Sequence, residues 1–366
     1  MVGGVVGGAT GGAPGAERAA VERAAVGRPA ADVDVFLSGL AFYDVVFTGL
    51  EAPPSPGTEV WAGGLGSGPG GIANFAVTLR RLGLTASLAA AFGDDAHGEL
   101  CRLSLVAEGV GLSRSRWFPG WHTPVTVALA YAGDRALVTH GAPPPVGSDE
   151  LVGRPPASRA TIVHLGPEPV HWLRAAAEDG SLVFADVGWD PSQEWPSDLL
   201  DRLAGCHAFL PNAGEAMAYT RTGSPRAALA KLAEAVPLAV VTLGADGAIA
   251  VDATTGESAA VPGVPVDVVD TTGAGDVFGA CLVAATLMLA QARPLAERLR
   301  FAALGAALSL RRPGGAAAAP SWDDVAAWWA ATRRGPDDAL RRDYGFLDDV
   351  LPRGNTGRPD PVLTGD

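Results

Sequence analysis

From Asp32 onward, apolar runs of two kinds alternate along the chain. Short, nearly unbroken runs occur at "DVDVFLSGL" (32–40), "TASLAAAFG" (85–93), "TIVHLG" (161–166), "LVFADVG" (182–188), "AFLPN" (208–212) and "LAVVTLG" (238–244). Most of them end in Gly, Asp or Asn, as strands buried on both faces of a parallel sheet do. Between them lie longer runs with a helical period. In "ANFAVTLRRLGL" (73–84), Phe75, Ala76, Leu79 and Leu82 share one face, and Gly83 stops the helix. The segments 98–110, 226–236 and 276–292 read as helices in the same way. The alternation predicts a doubly wound α/β layer architecture.

Two segments depart from this rhythm. Residues 44–68 and 116–140 hold strand-like pairs joined by Pro/Gly turns, with no helix between them. They read as a small antiparallel subdomain set into the α/β core, a lid or a dimer surface carrying exposed aromatics at Trp61, Trp117 and Trp121; the plainer alternative is an extra hairpin on the sheet edge. Residues 1–31 are Gly/Ala/Val-rich and read as a flexible N-terminal extension with a short helix over Glu17–Val26. One domain is expected over 32–330. A C-terminal tail follows over 331–366; it comes after a helix capped at Ser321, and its last ten or so residues are expected to be loose.

Composition narrows the function classes. The 366 residues carry a formal net charge of −13, which argues against nonspecific binding to nucleic acid or to anionic membrane surfaces. It leaves room for a phosphate ligand, because helix N-termini bind anions whatever the net charge. The apolar run Cys281–Ala290 is too short to span a bilayer. Cys101, Cys206 and Cys281 are scattered without metal-ligand spacing, and a reducing cytoplasm fits them best. None of the six histidines has a metal-like partner in the sequence, so all default to structural or surface roles. Lys231 is the sole lysine.

The chemistry is concentrated in "VVDTTGAGDVFGACLVAATLML" (268–289). A strand ending at Val269, a Gly-rich turn and a helix starting at Asp276 would present free backbone N–H groups and a helix dipole to an anion. Alone, the stretch supports two readings equally: an anion site, or an Asp276 that merely caps the helix. Three further stretches bear on the choice. "GPGGIANFAVTLRRLGL" (68–84) with "AAAFGDDAHG" (89–98) carries Gly70, Gly71, Asn74, Asp94 and Asp95. "LPNAGEA" (210–216) carries Asn212 and Glu215 just after a strand. "VVTLGADGA" (240–248) carries Thr242, Gly244 and Gly247.

With these in the same order from about 34 to about 326, the chain resembles the ribokinase (PfkB) family of carbohydrate kinases. The resemblance implies a ribokinase-like three-layer α/β/α sandwich with a mostly parallel central sheet and an inserted antiparallel β lid. It implies an ATP-dependent phosphotransferase acting on a hydroxyl of a sugar or sugar-like molecule, with Mg²⁺ and, as in some members, K⁺. Asp276 matches the catalytic base, and Gly273, Ala274 and Gly275 match the anion hole. Asp44, Gly70 and Gly71 match the substrate side. Asn74 lies beside them, where we read it as holding the diglycine loop. Asn212 and Glu215 match the motif that organises Mg²⁺ through water, and Thr242, Gly244 and Gly247 match the nucleotide loop. Asp270 and Thr272 match contributors to a monovalent-cation site. Homodimerisation through the lid is a family-level expectation. Asp95 reads as a solvated turn carboxylate.

The sequence also departs from the family pattern. Pro69 stands where the first Gly is usual, and the lysine that ribokinase-type members carry after the diglycine is absent. D-Ribose therefore does not follow from the resemblance. A nucleoside kinase, with Trp61, Phe118 and Trp121 stacking on a base, and a non-catalytic relative with a binding role remain alternatives. A dinucleotide-binding oxidoreductase is set aside, since no Gly-x-Gly-x-x-Gly follows the first strand.

Overall fold

The structure is a computed structural model that describes residues 31–131, 134–188, 192–289 and 293–352. The N-terminal extension, its expected helix over Glu17–Val26 and the last fourteen residues lie outside the described residues.

The core is an eight-stranded sheet in the order β14-β13-β12-β11-β10-β9-β1-β4. Its parallel part consists of β1 (Val33–Ser38), β4 (Ala86–Ala89), β9 (Ser158–Leu165), β10 (Leu182–Val187), β11 (Ala208–Phe209) and β12 (Leu238–Thr242). β13 (Ala248–Asp252) and β14 (Glu257–Val261) add an antiparallel edge. The parallel strands are apolar on both faces because helices cover both. One face packs around Phe75, Leu79, Val277 and Leu282, the other around Trp172, Leu203 and Leu232. This is the three-layer α/β/α arrangement.

The unbroken run 85–93 divides into β4 and β5 (Ala91–Gly93), the latter pairing with β6 (Arg116–Phe118) away from the main sheet. The lid is a sheet of its own, in the order β3-β2-β7-β8, and not a hairpin on the main sheet's edge. It contains β2 (Ala41–Leu50), β3 (Gly64–Gly71), β7 (Val125–Tyr131) and β8 (Asp134–His140). Two of its pairings are antiparallel as expected, but β2 and β7 run parallel. Between those two strands the chain crosses back through β4 and the helix Ala96–Ala107, a connection long enough for parallel pairing.

Of the three aromatics expected to be exposed, Trp61 is so, at 88%. Trp117 instead stacks on Phe92 with ring centroids 5.3 Å apart, and its Nε1 is buried. Trp121 is half-buried and donates its Nε1–H to the Pro143 carbonyl. Ser321 caps its helix in a reciprocal box with Asp324. Within residues 331–352, Tyr344, Phe346 and Leu347, around two short helices, are buried in the main core.

Candidate active site

The carboxyl ends of the parallel strands converge beneath the lid, where open α/β sheets bind ligands. Val268 and Val269 form no strand and are 50% and 40% exposed. Their segment is held instead by the C-terminal end of the later helix Leu295–Ser309, the amides of Val269 and Asp270 both donating to the Leu310 carbonyl. Asp270 is buried and ties the loop together: its carboxylate accepts from the amides of Thr272 (2.9 Å) and Gly314 (2.8 Å). Thr272 Oγ1 is buried without a partner among the described residues.

The helix Ala274–Leu289 begins two residues before the expected start at Asp276, so Asp276 stands in the first turn. The next ten residues, Val277 to Thr286, are all buried, which fixes the helix against the sheet. Each fully buried Val, Leu or Phe there contributes about 1.5–3 kcal/mol. Gly273 precedes the helix at φ 73°, and a Cβ there would stand 2.9 Å from Asn74 Nδ2. Gly315, at φ 43°, makes the same allowance 2.8 Å from Asn74 Oδ1. Asn74 is thus wedged between two glycines, and its Nδ2 donates to Asp276 Oδ2 at 2.6 Å. Its role differs from the one expected: it holds the carboxylate rather than the diglycine loop.

Asp44 projects from β2 opposite Gly68. A Cβ on Gly70 would lie 1.9 Å from Asp44 Oδ2, so the diglycine leaves room for this carboxylate. Gly71, at φ 61°, turns the chain into the helix Ile72–Arg81. Burial pushes the Asp44 carboxyl up to about 7, helped by the charges of Asp276 and Asp270 and opposed by Arg135. Burial likewise raises Asp276 to about 6, against the Asn74 hydrogen bond and the Arg135 charge.

Across the strand ends, Asn212 and Glu215 form a capping box at the start of the helix Ala213–Thr220. Asn212 also bridges to Thr242, whose amide donates to the Pro211 carbonyl. Burial lifts Glu215 to about 7, opposed by its bonds to Asn212 and helped by Asp276. Gly244, at φ 61°, opens the turn after β12, and nothing lies near where its Cβ would be. Gly247 has a structural reason of its own: its Cβ would fall 2.0 Å from the Val261 carbonyl on β14.

The structure adds three residues to the site. His164, near the end of β9, has Nε2 4.0 Å from Asp276 Oδ1. Its strand neighbour Asp186 is buried, with its pKa pushed well up by burial, Glu215 and Asp276. Ligand atoms of His164, Asp186 and Asp276 all lie within 4.8 Å of one another, which corrects the reading that no histidine has a metal-like partner. Arg135 reaches down from β8 to donate to Thr271 Oγ1 at 2.6 Å. His164 and Asp186 are polar residues at the ends of apolar runs, a signal the sequence carries. The Arg135 contact spans 136 positions and has no local signature. Asp95, read as solvated, caps the helix Ala96–Ala107 through the Gly98 amide and also accepts from the Thr123 amide.

Asp44, Asp186, Glu215 and Asp276 are therefore all carboxyls with raised pKa values. A cation among them would relieve each one, and oxygen donors suit a hard divalent ion. The residues present fit Mg²⁺.

The chain is similar to several known proteins. A sequence model described as pfkB family carbohydrate kinase matches residues 34–322. An ATP-dependent ribose-1-phosphate kinase from Halopiger xanaduensis is 30% identical over 304 residues, covering 81% of this chain and 98% of that protein. A ribokinase from Schizosaccharomyces pombe is 29% identical over 281 residues, covering 72% and 86%. Among solved structures, Arabidopsis thaliana ribokinase complexed with ribose and ATP superposes with a TM-score of 0.66 at 25% identity, covering 81% of this chain and 98% of that one. The chain belongs to the pfkB family of carbohydrate kinases.

Proposed function

We propose that this phosphotransferase uses ATP to phosphorylate a hydroxyl of a sugar or sugar-like small molecule, with Asp276 as the base. The observation that carries the reading is the divided environment of Asp276. One oxygen is held by Asn74; the other stands 4.0 Å from His164 Nε2, in the first turn of a helix, where N–H groups lack intrahelical partners. A carboxylate so placed can take a hydroxyl proton while those donors stabilise the charge on the transferring phosphoryl group. Gly273, Ala274 and Gly275 are the proposed anion hole, and Asp44 the proposed ligand for acceptor hydroxyls.

Mg²⁺, when bound, neutralises phosphate charge, and Glu215 and Asp186 would hold it through water. Asn212, Thr242 and Gly244 are assigned to the nucleotide side, with Gly247 shaping the turn. Asp270 and Thr272 remain the candidates for K⁺, supported by the buried, unpartnered Thr272 hydroxyl. Exposed Leu65, Leu137 and Val138 on the lid support homodimerisation there, which sedimentation at micromolar concentration tests. Three free cysteines support a reducing cytoplasm. No helix among the described residues is long and apolar enough to cross a membrane.

A sugar acceptor is favoured over a nucleoside because two of the aromatics available for base stacking are engaged. Phe118 carries the Arg116 guanidinium 4.9 Å from its ring centroid, and Trp121 bonds to Pro143. The test is ADP release across sugars, sugar phosphates and nucleosides; the name of the Halopiger relative puts sugar 1-phosphates in the panel. Turnover confined to nucleosides overturns the sugar assignment. No turnover with any acceptor favours a non-catalytic role.

A further inference from the structure

We propose that His164 is a substrate-contacting residue, whose Nε2–H donates to the same acceptor hydroxyl that Asp276 deprotonates. This rests on the assignment of Asp276 as the base and adds to it a residue that selects and aims the hydroxyl.

The geometry begins with the ring's fixed position. His164 lies on β9, between β1 and β10, at the carboxyl edge of the sheet. On one side it packs over Gly39, where a Cβ would come within 3.0 Å of the His164 Cβ and 3.2 Å of Nδ1. On the other it meets the edge of Phe75, with centroids 5.6 Å apart and planes at 72°. Phe75 cannot withdraw, because it is pressed on Gly279, whose added Cβ would lie 2.6 Å from its ring. With Nδ1 over Gly39, Nε2 is the nitrogen that faces Asp276.

Nε2 and Asp276 Oδ1 stand 4.0 Å apart. That is too far for a hydrogen bond and close enough for both to share one oxygen. An oxygen about 2.8 Å from each, an ordinary hydrogen-bond length, sees the two atoms at about 90°. A hydroxyl at that point donates to Oδ1 and accepts from Nε2. Asp276 Oδ2 is already held by Asn74, so Oδ1 is the oxygen free to receive the proton. In this assignment the imidazole is the tautomer with its proton on Nε2, which makes the ring a hydrogen-bond donor to that oxygen.

In the reaction, the acceptor O–H bond breaks and its proton passes to Asp276 Oδ1. The oxygen's electron pair forms the bond to the γ-phosphorus of ATP, and the bond from that phosphorus to the bridging oxygen breaks with its pair on ADP. His164 keeps its own proton throughout. Its bond strengthens as negative charge gathers on the acceptor oxygen, so its effect falls on kcat more than on KM.

The test uses the full chain, with whichever acceptor the ADP-release panel identifies. His164→Leu is expected to lower kcat by about ten- to a hundred-fold, the range for a hydrogen bond to a group gaining charge. It is also expected to raise ADP release per phosphorylated acceptor above one, because a loosely aimed hydroxyl lets water compete. His164→Gln, whose amide nitrogen can reach the Nε2 position, is expected to recover much of the loss. A folded His164→Leu with wild-type kcat and coupling overturns the proposal. If the leucine variant loses its melting transition, Gly39→Ala takes over the test: the new Cβ displaces the ring and is expected to lower kcat similarly, while unchanged kcat and coupling overturn the idea. Asp276→Asn separates the two assignments. If it retains wild-type turnover, the base assignment fails; if it is inactive while the His164 variants behave as wild type, only the His164 proposal fails.

Discussion

Asn74 and Asp276 lie 202 positions apart in the chain and are joined by a hydrogen bond of 2.6 Å. The bond favours the charged carboxylate, whose pKa burial would otherwise raise further than about 6. Asn74→Ala removes it. The acid limb of the kcat profile is then expected to move to higher pH, because a base works only when deprotonated and its pKa has risen. Activity at neutral pH falls, and raising the pH restores part of it. A profile superimposable on wild type would remove Asn74 from the account.

Gly70 is required by Asp44. In Gly70→Ala the new Cβ would meet the Asp44 carboxylate at 1.9 Å, so Asp44 must leave its position. KM for the acceptor is expected to rise at least about tenfold, the loss of one or more hydrogen bonds to a charged group, with the circular dichroism spectrum unchanged. KM for ATP should change little, since the nucleotide residues stand on other strands.

Arg135 connects the lid to the loop before the anion turn through Thr271. Its charge also lowers the pKa values of Asp44 and Asp276. Arg135→Ala is expected to raise the acceptor KM and to shift the acid limb upward, as Asn74→Ala does. An unchanged acceptor KM would show that acceptor binding does not depend on this contact.

Glu215 makes a prediction about stability. Its pKa is about 7 in the folded chain, against an ordinary value of 4.5, because burial and Asp276 outweigh its bonds to Asn212. The folded state therefore binds more protons than the unfolded state between those values, and its stability falls as pH rises through that window. Glu215→Gln keeps the capping box and removes the charge. In Mg²⁺-free urea titrations, the stability gained by the variant is expected to grow from pH 4.5 to pH 8. Mg²⁺ should narrow the gap at pH 8. A gap independent of pH would contradict the burial assigned to this carboxyl.

How much of this was legible in the sequence follows from the range of each interaction. The parallel strands and the helices Ile72–Arg81 and Pro225–Ala235 were readable because apolar period is a local property. Asn212 and Glu215 were singled out by the family resemblance, and the capping box they close within three residues is a local feature that the structure adds. The run before Asp270 misled: Val268 and Val269 look like a strand, but they are exposed and tied to Leu310, which sequence spacing cannot show. Trp117 misled in the opposite direction, its ring stacked on Phe92 from a distant segment. His164 and Asp186 were overlooked at strand ends that had themselves been placed correctly. They gain meaning only when β9 and β10 lie side by side and set both within 4.8 Å of Asp276.

The central claim is that Asp276 takes the proton from the acceptor hydroxyl. Single-turnover phosphoryl transfer in Asp276→Asn, measured with saturating ATP, Mg²⁺ and acceptor, tests it most directly. The account expects the rate to fall about 10²–10⁴-fold, the range for losing a general base, with nucleotide binding and melting temperature retained. A rate within a few-fold of wild type would contradict it.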